Sequence, residues 1–322
     1  MEIQQMSKNR TAVVALGGNA IIQKGETGDI HQQFANTRKS MKEVFKLIQK
    51  GYKVILTHGN GPQVGNLMLM GEKARDILPE IPLGVADAMT AGSMGYMLEQ
   101  SLQNLMIDGS SLKKIVIVPS QILVDRKDPA LTNPTKPIGP FYTAEEAEAL
   151  RKEKGWVIKE DAGRGYRRYV PSPYPLDIVE KDAIITLLDN DYVVITGGGG
   201  GIPVYKDEQN HYEGIDCVID KDLASMKIAL AAQAEDLIII TGVPAVMINF
   251  GKEEQMELSS MTLAEAKYYH AQGQFPTGSM GPKILAAIEF VQANPENRVI
   301  ITDVENLKDA VEGRAGTIIK AY

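Results

Sequence analysis

The chain has 322 residues, 44% hydrophobic and 23% charged, with a net charge of -7; this composition supports one large folded α/β domain and excludes a disordered chain. No long Lys/Arg block is present, so nucleic acid, whose phosphates demand a basic surface, is excluded as a partner. The opening MEIQQMSKNR has no apolar signal stretch and no run reaches the length of a membrane span, so the expectation is no membrane association and a reducing, cytoplasmic setting.

Along the chain, β-branched-rich runs alternate with helical patterns. The run 11–16 predicts a strand that ends in Gly17, Gly18 and Asn19. A helix over 34–50 follows, with Met41, Val44, Phe45 and Ile48 on one face and Gly51 as its stop. The strand 52–57 ends in His58, Gly59, Asn60 and Gly61, ahead of a helix carrying Val64, and 88–108 reads as a further helix before the strand 114–119. From 124 to 175 the rhythm breaks. This proline- and glycine-rich stretch holds one convincing helix, 143–154, opened by a Thr143/Glu146 capping box, and is expected to project as a small lid. A helix over 175–190, a strand at 192–196 running into Gly197 to Gly201, a helix over 222–234, a strand at 236–241, helices over 263–272 and 281–292 and a strand at 298–302 complete the reading.

None of the strands shows the polar alternation of a sheet with one wet face, so they predict a mainly parallel sheet covered on both sides, a three-layer α/β sandwich. In such sheets ligands bind beyond the carboxyl ends of the strands, where the three glycine-rich turns fall. Five consecutive glycines need a local reason, and close approach of phosphate oxygens to backbone amides is the simplest. Neither GxGxxG nor GxxxxGK[ST] is present.

Phosphoryl transfer spreads negative charge that lysines must offset. Lys221, flanked by Asp220 and Asp222 where an apolar run becomes a helix, and Lys283, after a GSMG turn, are the candidates; Asp222 is placed to orient ammonium groups. Lys136, among prolines in the projecting stretch, is a third, and Arg164, Arg167 and Arg168 either help to close the lid or are solvated. The histidines His31, His58, His211 and His270 show no metal-ligand spacing, which leaves His58 as a hydrogen bonder or a packing group; the single cysteine, Cys217, reads as a small buried hydrophobe.

The ordered motifs ALGGNA, HGNGPQVG, GSMGYMLEQ, LTNPTKPIGPFYT, EDAGRGYRRYVPSPYP, GGGGIPV, VIDKDLAS, GSMGPK and GTIIKAY closely resemble those of the carbamate kinases, a branch of the amino acid kinase superfamily, nearly end to end. The resemblance implies an amino acid kinase-like fold with residues 125–175 as the projection, a carbamoyl phosphate lobe over the rest of 1–195 and a nucleotide lobe over 196–322. It implies a homodimer that reversibly moves a phosphoryl group from carbamoyl phosphate to ADP with Mg²⁺, giving ATP and carbamate, which breaks down to ammonia and CO₂, as in the arginine deiminase route. Catalytic roles fall on Lys136, Lys221, Asp222 and Lys283, and carbamoyl phosphate binding on Gly17, Gly18, Asn19, Gly59, Asn60 and Gly61. Nucleotide binding falls on Gly199, Gly200, Asp220, Lys221, Thr241, Gly242, Val243, Gly278, Ser279, Met280 and Lys283, with no protein metal site. Two stretches depart from the family pattern: Ala86 to Gly92 (ADAMTAG) stands where relatives read close to CGAMSQG, and Gly242 stands where relatives often have aspartate. A related kinase acting on another small carboxylate or phosphate, and a nucleotide-binding module without catalysis, are the competing readings.

Overall fold

The computed structural model describes residues 10–23, 25–161 and 165–322. The central sheet contains β1 (Thr11–Leu16), β2 (Lys53–His58), β3 (Lys114–Val118), β4 (Tyr192–Thr196), β5 (Asp236–Ile240), β6 (Ser260–Thr262), β7 (Arg298–Thr302) and β8 (Thr317–Lys320). Their order is β6-β8-β7-β5-β1-β2-β4-β3, and neighbours are parallel except β7 and β8. The helices are α1 (Ile30–Gln49), α2 (Gly61–Lys73), α3 (Leu83–Asp108), α4 (Ala144–Lys154), α5 (Lys181–Asp189), α6 (Lys221–Ala231), α7 (Leu263–Ala271), α8 (Met280–Ala293) and α9 (Leu307–Val311).

Alternation along each strand divides the interior into two cores. Val13, Ala15, Ile55, Leu237, Ile239 and Ile301 face α5, α6 and α8, whereas Ala12, Val14, Val54, Leu56, Ile238 and Ile300 face α1, α3 and α9. Both sides of every central strand are therefore apolar, the arrangement that a two-sided cover demands. The expected three-layer α/β fold with a mainly parallel sheet is present.

Local chemistry moves several helix ends. Asp29 caps α1 through a reciprocal capping box with Gln32, so the helix begins at Ile30 rather than at 34. Pro82 starts α3 five residues before the expected 88. The stretch 175–190 is not one helix. Pro175–Ile178 is a strand, paired antiparallel with Gln121–Val124 in a second sheet that includes Ile202–Lys206 and Tyr212–Gly214, and only Lys181–Asp189 is helical. Pro175 fixes an extended entry, and Ile178 is buried by the pairing.

That pairing brings the two ends of the 125–175 stretch together. Beyond it, Lys136–Tyr142, Ile158–Glu160 and Tyr166–Val170 form a small antiparallel sheet with α4, whose Thr143 and Glu146 cap each other's backbone as expected. The small sheet meets α2 backbone to backbone, since a Cβ on Gly65 would overlap Gly139. Val64, Ile138, Val170 and Val218 pack together around this contact. Arg167 donates to Gly139 O and pairs with Asp161 at 3.2 Å, and Arg168 stacks on Trp156 at 4.2 Å, all partners within the 125–175 stretch; Arg164 lies outside the described residues.

At the other end of the sheet, Asp236 at the start of β5 is fully buried. It accepts from both Arg10 (3.1 and 3.0 Å) and Arg298 (2.8 and 3.0 Å).

Candidate active site

Two helix N-termini open beyond the carboxyl ends of β1, β2 and β4. β2 runs through His58 into Gly59 and Asn60, and α2 starts at Gly61 with Pro62 in its first turn. The Asn60 side chain makes no capping bond, so early amides of α2 keep no partner from it. Across the cleft, α6 starts at Lys221. Its cap is Asp220, which accepts from Asp222 N at 2.9 Å and Leu223 N at 3.3 Å.

Between these helix starts, Asp222 accepts from the ammonium groups of both Lys221 and Lys283, the latter at 2.9 Å. Its side chain is 4% exposed and those of the lysines 11% and 12%, so the cluster is nearly buried but remains open to the cleft. Burial alone would raise the Asp222 carboxyl, but the two ammonium groups overcome it and hold the group well below the usual carboxylate range. Burial lowers Lys221, with Lys283 acting in the same direction, whereas for Lys283 the Asp222 carboxylate outweighs burial and raises it. Lys136 arrives from the projecting sheet and pairs with Asp220. Three lysines thus line one cleft with Gly59, Asn60, Gly61, Gly199, Gly278 and Ser279.

The floor is polar and tightly packed. His58 is buried, its Nδ1 donates to Gly59 O at 3.3 Å, and burial lowers its pKa to about 4, so it is a neutral packing group at physiological pH. Asp87 of α3, also fully buried, is raised to about 7 by burial despite accepting from Asn60. The five glycines are crowded by the protein itself. A Cβ on Gly197 would meet Ile228 at 2.8 Å and one on Gly198 would meet His58 at 2.6 Å; on Gly199 it would overlap Asn60 and Asp87, on Gly200 the Ile219 carbonyl, and on Gly201 Ile122. Protein atoms therefore occupy the space that every side chain would need, and all but Gly198 also adopt positive φ. Of the five, Gly199 lines the cleft, whereas Gly200 does not.

A second cleft adjoins the first through Ser279, which lines both. Thr241, Gly242, Val243 and Met280 line it with Phe250 and Phe275, an apolar setting for a planar ring. Asn19, expected with carbamoyl phosphate, lies here instead and rests against Gly242, where a Cβ would overlap its amide. Gly242 thus makes room for Asn19. Gly17 and Gly18 line neither cleft; Gly17 donates to Ile240 O at 2.9 Å, and a Cβ there would sit 2.6 Å from that oxygen. Sequence reasoning passed over Phe250, and it met Asp87 and Thr90 only as part of the departing stretch 86–92, without a role; the available signal for these two was a carboxylate and a hydroxyl inside an otherwise apolar helical pattern.

The sequence matches the profile of the amino acid kinase family over residues 10–303. It is 45% identical over 307 residues to the carbamate kinase of Pyrococcus horikoshii, covering 95% of this chain and 97% of that protein. The solved carbamate kinase of Giardia lamblia bound to citric acid superposes with a TM-score of 0.92 at 44% identity, covering 98% of this chain and 99% of that one. The same enzyme bound to AMP-PNP gives 0.89 at 44% identity with the same coverage. With a matching fold, a lysine-lined cleft beside an apolar one and relatives alike over nearly the whole length, this chain belongs to the amino acid kinase family, within its carbamate kinase branch.

Proposed function

We propose that the chain transfers a phosphoryl group reversibly between carbamoyl phosphate and ADP, giving ATP and carbamate, with the reacting phosphate between Lys221 and Lys283. The observation that carries this is the Asp222 cluster: one buried carboxylate holds two ammonium groups at the mouth of a cleft that two helix N-termini also face. Each ammonium has three donors, and Asp222 engages one oxygen with each lysine, which leaves donors for phosphate oxygens. Negative charge developing on the transferred group is met by fixed cations that need no rearrangement. Carbamate is an anionic oxygen nucleophile, so the in-line step requires positioning and charge but no general base.

Lys136 and the Gly59 to Gly61 turn serve the carbamoyl phosphate end in this reading, and the cleft lined by Thr241, Val243, Phe250 and Phe275 takes the nucleotide base. The AMP-PNP bound by the Giardia lamblia relative supports nucleotide binding by this chain. Magnesium fits as a group carried on the nucleotide phosphates. Among the described residues no cluster of three His, Cys, Asp or Glu side chains could cage a metal, and Asp220 and Asp222 are the cleft carboxylates able to receive hydrogens from its water shell. Bound there, it would offset phosphate charge. The apolar side chains that α3 leaves exposed, Val85, Met89 and Tyr96, favour a homodimer. Among the described residues no helix is long and apolar enough to cross a membrane.

The test is direct. Purified protein given ADP, Mg²⁺ and carbamoyl phosphate is expected to form ATP; no ATP, with ready phosphorylation of a different small carboxylate, would overturn the assignment.

A further inference from the structure

Asparagine at a helix N-cap ordinarily bonds an amide of the first turn. Asn60 caps α2 by position but makes no such bond. Its side-chain nitrogen turns into the protein and donates to Asp87 Oδ1 and, at 2.8 Å, to Thr90 Oγ1, both from α3. Asp87 Oδ1 accepts from the amide whether or not the carboxyl carries a proton, because a proton can sit on Oδ2, which has no partner among the described residues. The Thr90 hydroxyl already donates to carbonyl oxygens of its own helix, Asp87 O at 2.9 Å and Ala86 O at 3.1 Å, so towards Asn60 it too can only accept. Both partners therefore demand the amide nitrogen, and the Asn60 carbonyl oxygen is left without a partner among the described residues. The residue itself lines the lysine cleft.

The packing leaves little freedom to reverse this. The backbone of Gly199 closes over the Asn60–Asp87 pair so tightly that a Cβ would overlap both side chains.

We propose that Asp87, with Thr90, is a positioning residue that presents the Asn60 carbonyl oxygen to the cleft as an acceptor for the amino group of carbamoyl phosphate, selecting it over acyl phosphates that lack an N–H. The assignment rests on the reaction proposed above. Acetyl phosphate carries a methyl where carbamoyl phosphate carries the amino group. An oriented buried acceptor rejects such an analogue because it would be left unpaired.

The experiment compares wild type with Asp87→Ala and with Thr90→Val, which removes one acceptor at nearly constant volume and keeps the test open if the first variant does not fold. The constants read are KM for carbamoyl phosphate and the constant for acetyl phosphate, as substrate or as competitive inhibitor. Loss of a fixed amide orientation is expected to raise KM for carbamoyl phosphate about tenfold while moving the acetyl phosphate constant by less than about twofold. A general disturbance of the floor would shift both constants together. Parallel shifts, or no shift, overturn the assignment. Wild-type ATP synthesis from carbamoyl phosphate separates this from the underlying reading: its absence overturns the reaction and the assignment with it, whereas its presence with parallel shifts overturns the assignment alone.

Discussion

Opposite ends of the central sheet each hold a buried aspartate between two cations, and the cations differ. At the amino end Asp236 sits between Arg10 and Arg298, each guanidinium giving both carboxylate oxygens a hydrogen bond. At the carboxyl end Asp222 sits between Lys221 and Lys283, each lysine reaching one oxygen. Arginine forks saturate a carboxylate and leave it nothing to offer; ammonium groups keep donors in reserve. The same charge pattern therefore acts as a clasp between β1, β5 and β7 at one end and, in the proposed reaction, would serve as a receptor for phosphate oxygens at the other.

The largest way to separate the two ends is Lys221→Ala. In the proposed reaction, removing this cation should lower kcat for ATP synthesis by about 10³-fold, with the thermal midpoint changed by only a few degrees because Lys283 still pairs with Asp222. ATP synthesis comparable to wild type would break the assignment of the carboxyl-end cluster to chemistry. Reciprocal swaps sharpen the contrast. Lys221→Arg keeps the charge but allows a fork that saturates Asp222, and should lower kcat about 100-fold; Arg298→Lys should cost about 1 kcal/mol of stability, read by denaturant unfolding, and leave kcat unchanged.

The smallest effect comes from pH, where two floor groups oppose each other. His58, lowered to about 4, costs stability as pH falls below 6.5, because the unfolded chain takes up a proton that the folded chain refuses. Asp87, raised to about 7, acts the other way: its folded form holds a proton that the unfolded chain releases, so stability is lost as pH rises towards 7. Cys217, pushed up to about 12 by burial, stays a thiol throughout. Between pH 6.5 and 5.5 the two terms nearly cancel in the wild type. In Asp87→Asn the histidine term stands alone, and unfolding free energy should fall by about 1 kcal/mol over that unit. An unchanged profile in the variant would contradict the floor described here.

Much of this was legible from residues. Strands with no wet face announced a covered parallel sheet, and Lys221 between Asp220 and Asp222 at a strand-to-helix change announced the charge cluster, because both signals are local. What depended on distant chain was not legible. The strand Pro175–Ile178 exists because Gln121–Val124 pairs with it, and its own residues read equally well as a helix start. The five glycines were visible, but what crowds them was not: Thr57, His58, Asn60, Ile122, side chains of α3 and α6 and the Ile219 carbonyl fill the space around them. Asn19 follows its strand closely, yet its contact with Gly242 beyond the neighbouring strand β5 joins residues far apart in the sequence. The Arg10–Asp236–Arg298 clasp joins residues separated by 226 and 62 positions, which no spacing argument could connect.

The most direct test sets the two aspartates side by side, with unfolding midpoint and kcat per folded molecule read on Asp222→Ala and Asp236→Ala from matched preparations. The account predicts that both variants lose stability, since each strands two cations, but that Asp236→Ala keeps its turnover when folded whereas Asp222→Ala loses turnover per folded molecule by at least about 100-fold. Parallel losses of turnover in both variants would contradict it.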